Sequence, residues 1–251
     1  MLFQGEKSRH SQTELQLFHE YELYFEKSPL LTINKLQNFS KYVRRQDIAR
    51  FLAKNELFKL QAHLPGSIVE CGVFLGGGGM TYAQLSAIYE PYNHTRKVVC
   101  FDTFEGFPAT SMKDANTLRT YDTGALATFS GIEDEITAAI QLFDRNRPLS
   151  HIPKIELIKG DACQTIPTYL ENNPHLVVSM LYLDFDLYEP TKAALDNLLL
   201  RMPKGGVLAF DQLNCQNFPG ETLAVVDAMS IPNLRLKRTP FDPWISYAII
   251  E

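Results

Sequence analysis

Residues 68–79 read IVECGVFLGGGG, a short apolar run, an acid and a turn saturated with glycine, with a helical pattern opening near Met80. Ile68 and Val69 are β-branched, as the inside of a sheet favours, and Glu70 is expected where the strand runs out. Gly72 and Gly76 to Gly79 are expected to take positive φ and to let the backbone approach a ligand with no Cβ in the way. A strand, a glycine turn and a helix in this order describe a nucleotide site. The GxGxxG order of a dinucleotide fold is missing and no GK[ST] follows, which excludes a P-loop.

Glu70-Cys71-Gly72 fits an S-adenosylmethionine (SAM) loop better. The chain then supplies a second strand, RKVVCFDTFEGFP, ending at Asp102, which lies 23 residues beyond Gly79. A carboxylate at that distance, at the end of the second strand, is where an adenosine ribose presents its hydroxyls. Thr103 and Phe104 open a tight, largely apolar loop suited to a ligand wall. KIELIKGD gives a third strand ending in Asp161, level with Asp102 and placed to accept from an adenine amino group, or else simply part of a turn-forming Gly-Asp. The SAM site expected from this layout takes in Glu70, Gly72, Val73, Phe74, Asp102, Thr103, Phe104, Ser130, Asp161, Ala162 and Asp184.

Two later runs carry acids at their ends. HLVVSMLYLDFDLYEPTKAALDNLL holds Asp184 and Asp186, and GGVLAFDQLN ends in Asp211 and Gln212. Residues two apart on a strand share a face, so Asp184 and Asp186 are expected to point the same way. On neighbouring strands these ends converge in one pocket. Several like charges there repel unless a cation sits between them, and oxygen-only ligands select a hard one, Mg²⁺ ahead of Ca²⁺ or Mn²⁺.

Together, IVECGVFLGGGG, FDTFEGFP, LYLDFDLYEPT and GGVLAFDQLN…FPGET resemble the macrocin O-methyltransferase family, SAM-dependent enzymes that methylate sugar hydroxyls on antibiotics and nucleotide-linked deoxyhexoses. The resemblance covers roughly residues 40 to 250. It implies Mg²⁺ held by Asp184, Asp211 and position 212, and Asp186 as the base. Gln212 stands where the family usually has Asp or Glu, so the site has one negative charge fewer. An NAD-dependent oxidoreductase and a non-catalytic SAM- or sugar-binding protein are the rival readings.

The rest of the chain frames this site. With 251 residues, 45% of them hydrophobic, it can bury one large core, and the expected fold is a Rossmann-like α/β class I methyltransferase. That means a mostly parallel seven-stranded sheet with helices on both faces, closed by LRLKRTP and WISYAIIE as a terminal hairpin. Residues 65–251 would form this domain and residues 1–64 a helical layer for oligomerisation or lid duty. In that layer Leu15, Leu17, Phe18, Tyr21, Leu23, Tyr24 and Phe25 wrap more than one face, which suits either a second copy of the chain or packing on the sheet. Arg44 and Arg45 read as a phosphate clamp or a solvated helix start. The opening MLFQG resembles part of a protease-cleavage tag. The polar stretch from Ala109 to Ser130 has the length of a lid.

A net charge of −5 argues against nucleic acid or anionic membrane as partners and favours a small-molecule substrate, here a sugar or sugar nucleotide. Four dispersed cysteines without metal spacing suit reduced thiols in the cytoplasm.

Overall fold

The computed structural model describes residues 11–115 and 121–251. The tag-like opening lies outside them, as does part of the expected lid. Two compact units follow one another along the chain, the first running to Leu52 and the second spanning Ala53–Glu251.

The first unit contains helices α1 (Gln12–Lys27) and α2 (Thr32–Gln37) and the first half of α3 (Arg45–Gln61). Ser11 and Glu14 form a reciprocal capping box at the start of α1. Arg44 binds Asp47 at the start of α3 and lies 4.2 Å from the centre of the Phe18 ring. Leu31, Ile33, Leu36 and Phe39 are each more than half exposed. The division between the two units falls inside α3. Ala53, Leu57 and Phe58, on the second half of that helix, are fully buried in the core of the second unit.

In the second unit β1 (Ser67–Cys71), α4 (Gly77–Tyr89), β2 (Val98–Asp102), α5 (Ile132–Arg145), β3 (Ile155–Lys159) and α6 (Ala162–Asn172) are followed by β4 (Val178–Leu183), α7 (Tyr188–Leu198), β5 (Val207–Phe210), α8 (Pro219–Met229), β6 (Lys237–Arg238) and β7 (Ser246–Ile249). The strands form one sheet in the order β3-β2-β1-β4-β5-β7-β6. β1 to β5 are parallel, and β7 inserts antiparallel between β5 and β6. The terminal hairpin is thus present, with its first strand shortened to two residues.

Side chains alternate between two cores, as the period of a strand requires. Ile68, Val98, Cys100, Met180, Tyr182 and Val207 face α3, α4 and α5, whereas Val69, Val99, Phe101, Leu181, Leu183 and Leu208 face α6, α7 and α8. Burial on both faces explains the near-continuous apolar runs. The register also levels the sheet: Cys71 pairs with Phe101 and with Leu183, and Leu183 pairs with Phe210. Gly72, Asp102, Asp184 and Asp211 therefore leave four adjacent strands at one height. In an open parallel sheet ligands bind at that edge.

Candidate active site

Four residues other than glycine have positive φ just beyond the central strands: Phe74 (51°) after β1, Phe104 (57°) after β2, Asp186 (64°) after β4 and Asn214 (67°) after β5. Left-handed backbone costs most side chains on the order of 1 kcal/mol or more, and its concentration at one sheet edge marks the part of the molecule built for function.

At the β1 turn, only part of the glycine run behaves as the sequence suggested. Gly72 (φ 96°) and Gly76 (φ 82°) are left-handed, whereas Gly77 to Gly79 are already helical. α4 therefore starts three residues ahead of Met80. The later glycines answer a packing demand: a Cβ on Gly78 would stand 1.7 Å from Glu70 Oε1, and one on Gly79 2.6 Å from Cys100 Sγ. Glu70 does not end its strand. It lies inside β1, on the same face as Ile68, with its carboxylate under the start of α4 and 3.3 Å from Lys54 Nζ. Lys54 also stands 3.9 Å from the centre of the Tyr182 ring on the adjacent strand. Burial, then the Glu70 charge, pushes the Cys71 and Cys100 thiols up, so both stay protonated.

Asp102 ties two turns together. Its Oδ2 accepts from the backbone N–H groups of Val73 (2.6 Å) and Phe74 (3.0 Å), and its Oδ1 accepts from Phe104 N–H (2.7 Å). Val73, Phe74, Asp102 and Phe104 are thus brought together, with most of the carboxylate's accepting capacity already used. Thr103 Oγ1 donates to the Gly106 carbonyl. Asp161 caps α6 by accepting from Cys163 N–H at 2.9 Å, and Ala162 packs into the core beneath it. Ser130 is exposed on the turn before α5.

The acidic half is assembled by side chains. β4 ends at Leu183 and β5 at Phe210, so Asp184, Asp186 and Asp211 stand on the loops just past the strands, and Asp184 and Asp186 do not share a strand face as expected. A Cβ on Gly72 would meet the Asp184 carbonyl oxygen at 2.1 Å, which is how closely the β1 and β4 loops approach. Asp186 and Asp211 are buried. Tyr182 Oη donates to Asp211 Oδ1 at 2.6 Å. Gln212 Nε2 donates to Asp184 Oδ1 at 3.0 Å and to Asp211 Oδ2 at 2.8 Å, while its backbone N–H donates to Glu221 Oε1 at 2.9 Å. Burial first, then the Asp211 and Asp184 charges, hold the Glu221 carboxyl well above the usual carboxylate range. Tyr182, Glu221 and Lys54 were given no role from sequence, although FPGET and the tyrosine two places before Asp184 were in view.

The family model described as Macrocin-O-methyltransferase (TylF) matches residues 45–226. The chain belongs to the macrocin O-methyltransferase family. Among solved structures it resembles CalS11, a calicheamicin methyltransferase, with 31% identity and a TM-score of 0.92 over 96% of this chain and 93% of that one. An apo structure of CalS11, described as a TDP-rhamnose 3′-O-methyltransferase, gives 29% identity and a TM-score of 0.83 over 96% and 95%. An O-methyltransferase from Bacillus cereus in complex with SAH shares the fold, at 14% identity and a TM-score of 0.52 over 93% and 97%. A comparison with curated protein sequences returns no match. Family and neighbours together make the chain an O-methyltransferase that uses SAM, on a class I methyltransferase fold. Among the described residues, no helix is long and apolar enough to cross a membrane.

The residues fit SAM and do not fit the expected metal. For SAM there is a left-handed, Cβ-free turn at Gly72 and Gly76 and a helix whose N-terminus has no side-chain cap, leaving backbone N–H groups for an anionic tail. For Mg²⁺, the amide hydrogens of Gln212 stand between Asp184 Oδ1 and Asp211 Oδ2, the two oxygens that a cation there would collect. No group of three or more Asp, Glu, His or Cys among those residues is arranged to hold an ion.

Proposed function

We propose that this chain methylates a hydroxyl group of a sugar, carried on a nucleotide or on a glycosylated natural product. The observation that carries the reading is the buried Asp186, held in a left-handed conformation at the same sheet edge as the glycine turn, in a chain similar to CalS11 over nearly its whole length. SAM supplies the methyl group as an electrophilic carbon on a sulfonium and leaves as the thioether.

The chain's own residues do the rest. Gly72, Val73, Phe74 and the open start of α4 receive the amino-acid end. Asp102 shapes the turn beside the ribose, with one accepting position left for a hydroxyl, and Asp161 and Ala162 border the adenine. An alcohol is a poor nucleophile near neutral pH, so its proton must be taken as the new C–O bond forms. Asp186 takes that proton. Asp184 and Asp211, crosslinked by Gln212, fix the wall against which the sugar is oriented. No step passes through Mg²⁺, because the donor set does not fit one.

The test is incubation with SAM and a panel of TDP-linked and other nucleotide sugars, scored by mass for the gain of one methyl group. A methylated sugar that requires SAM supports the proposal. Methylation of non-sugar hydroxyls alone would overturn it.

A further inference from the structure

We infer that Gln212 takes the place of a divalent cation in the acidic pocket. Its amide is the neutral crosslink between Asp184 and Asp211, and the chain binds no metal there. The inference rests on the reading of this edge as the acceptor side of a sugar O-methyltransferase.

A hard cation would have to collect oxygen atoms at one point. The point between Asp184 Oδ1 and Asp211 Oδ2 is held by the Gln212 amide nitrogen, whose two hydrogens serve the two carboxylates at 3.0 and 2.8 Å. With no cation between them, turning the amide over would aim its oxygen at two carboxylate oxygens, which repel it, so the nitrogen faces the acids. The crosslink is braced on both sides. Glu221 Oε1 holds the Gln212 backbone at 2.9 Å, Tyr182 holds the far oxygen of Asp211 at 2.6 Å, and Gln212 is only 7% exposed. An amide that left the pocket would give up both of its bonds to the acids.

This assigns Gln212 a positioning role. It keeps Asp184 and Asp211 at a set separation without ion concentration as a variable, and it leaves removal of the substrate proton to Asp186. The cation's other service, lowering the pKa of the alcohol, is then absent, and the base carries that burden alone.

The experiment is a Mn²⁺ titration followed by electron paramagnetic resonance, on the wild-type chain and on Gln212→Asp and Gln212→Glu, each with SAH present and each checked for folding by its melting curve. The expected result is no stoichiometric site in the wild type at millimolar Mn²⁺. At least one carboxylate variant should gain a site, bound ~10-fold or more tighter, because each added ligand charge tightens a hard-cation site. Wild-type turnover, on whichever acceptor the sugar panel identifies, should be unchanged by EDTA. A wild-type Mn²⁺ site abolished by Asp184→Asn, or turnover lost in EDTA and restored by Mg²⁺, would overturn the inference. So would the absence of a site in both folded variants, since the amide would then not be what keeps the ion out. Failure of every sugar to react would count against the proposed substrate class while leaving the Mn²⁺ result readable.

Discussion

The two halves of the sheet edge handle negative charge in opposite ways. Beside β1 and β2, the carboxylate of Asp102 is satisfied by backbone N–H groups from Val73, Phe74 and Phe104. Beside β4 and β5, Asp184, Asp186, Asp211 and Glu221 crowd together, and side chains hold two of them: Gln212 bridges Asp184 and Asp211, and Tyr182 donates to Asp211. In the first half a carboxylate is part of the architecture. In the second, charge is concentrated at some cost in folding free energy, as expected where chemistry is done. Substitutions in the two halves should therefore fail differently, the first losing shape and the second losing rate.

The largest effect is expected where the halves touch. Gly72→Ala would place a Cβ 2.1 Å from the Asp184 carbonyl on a residue with φ of 96°, so overpacking and backbone strain add. The loss of stability should be about 3 kcal/mol or more, read from denaturant unfolding, with SAM binding and turnover falling together. A variant that folds normally and loses only turnover would mean that the halves are less tightly joined than the contact implies.

Next comes Asp186→Asn, which keeps the shape and removes the basicity. Asparagine tolerates left-handed backbone at least as well as aspartate, so the turn should persist. Turnover should drop ~10²-fold or more, about 2.7 kcal/mol of barrier, with SAM affinity by calorimetry near wild type. Wild-type turnover would assign proton removal to another group.

Asp102→Ala is the counterpart in the other half. It strands the N–H groups that hold the glycine turn, so stability and SAM affinity should fall together by about 1–3 kcal/mol. A loss of SAM affinity with stability intact would instead mark Asp102 chiefly as a ribose ligand.

The same contrast explains what the sequence made legible. The strands, the sheet edge and the acids at β4 and β5 follow from apolar runs and their terminal residues, because those signals are local and repeat. Gly78 and Gly79 were misread as turn glycines because the side chain that demands them, Glu70, comes from an adjacent strand, and its burial depends on Lys54 in a helix read only as an apolar pattern. Asp161 looked equivalent to Asp102 from its place at a strand end, yet one caps a helix and the other laces two turns. The departure at Gln212 was visible, but not which amide atom would face the acids, since that is decided by Tyr182 and Glu221 from elsewhere in the chain.

The smallest effect tests the crowding itself. Glu221 is fully buried, and its carboxyl is raised well above the usual carboxylate range by burial and by Asp211 and Asp184, so between the unfolded value and the raised one the folded chain keeps a proton that the unfolded chain has lost. Where the folded state binds more protons, stability falls as pH rises. The contribution of this group is complete below the unfolded carboxyl pKa, declines above it, and is exhausted only as pH passes the raised value. Its slope cannot exceed about 1.4 kcal/mol per pH unit for one proton. Glu221→Gln keeps an acceptor for the Gln212 N–H and cannot ionise. It should flatten the decline between pH 5 and neutrality, by at most about 1.4 kcal/mol per unit, in urea unfolding at a series of pH values. Equal slopes in the two proteins would show that Glu221 is ionised in the fold, with its charge balanced by a cation or a proton held elsewhere in the pocket, and would weaken the contrast between the halves.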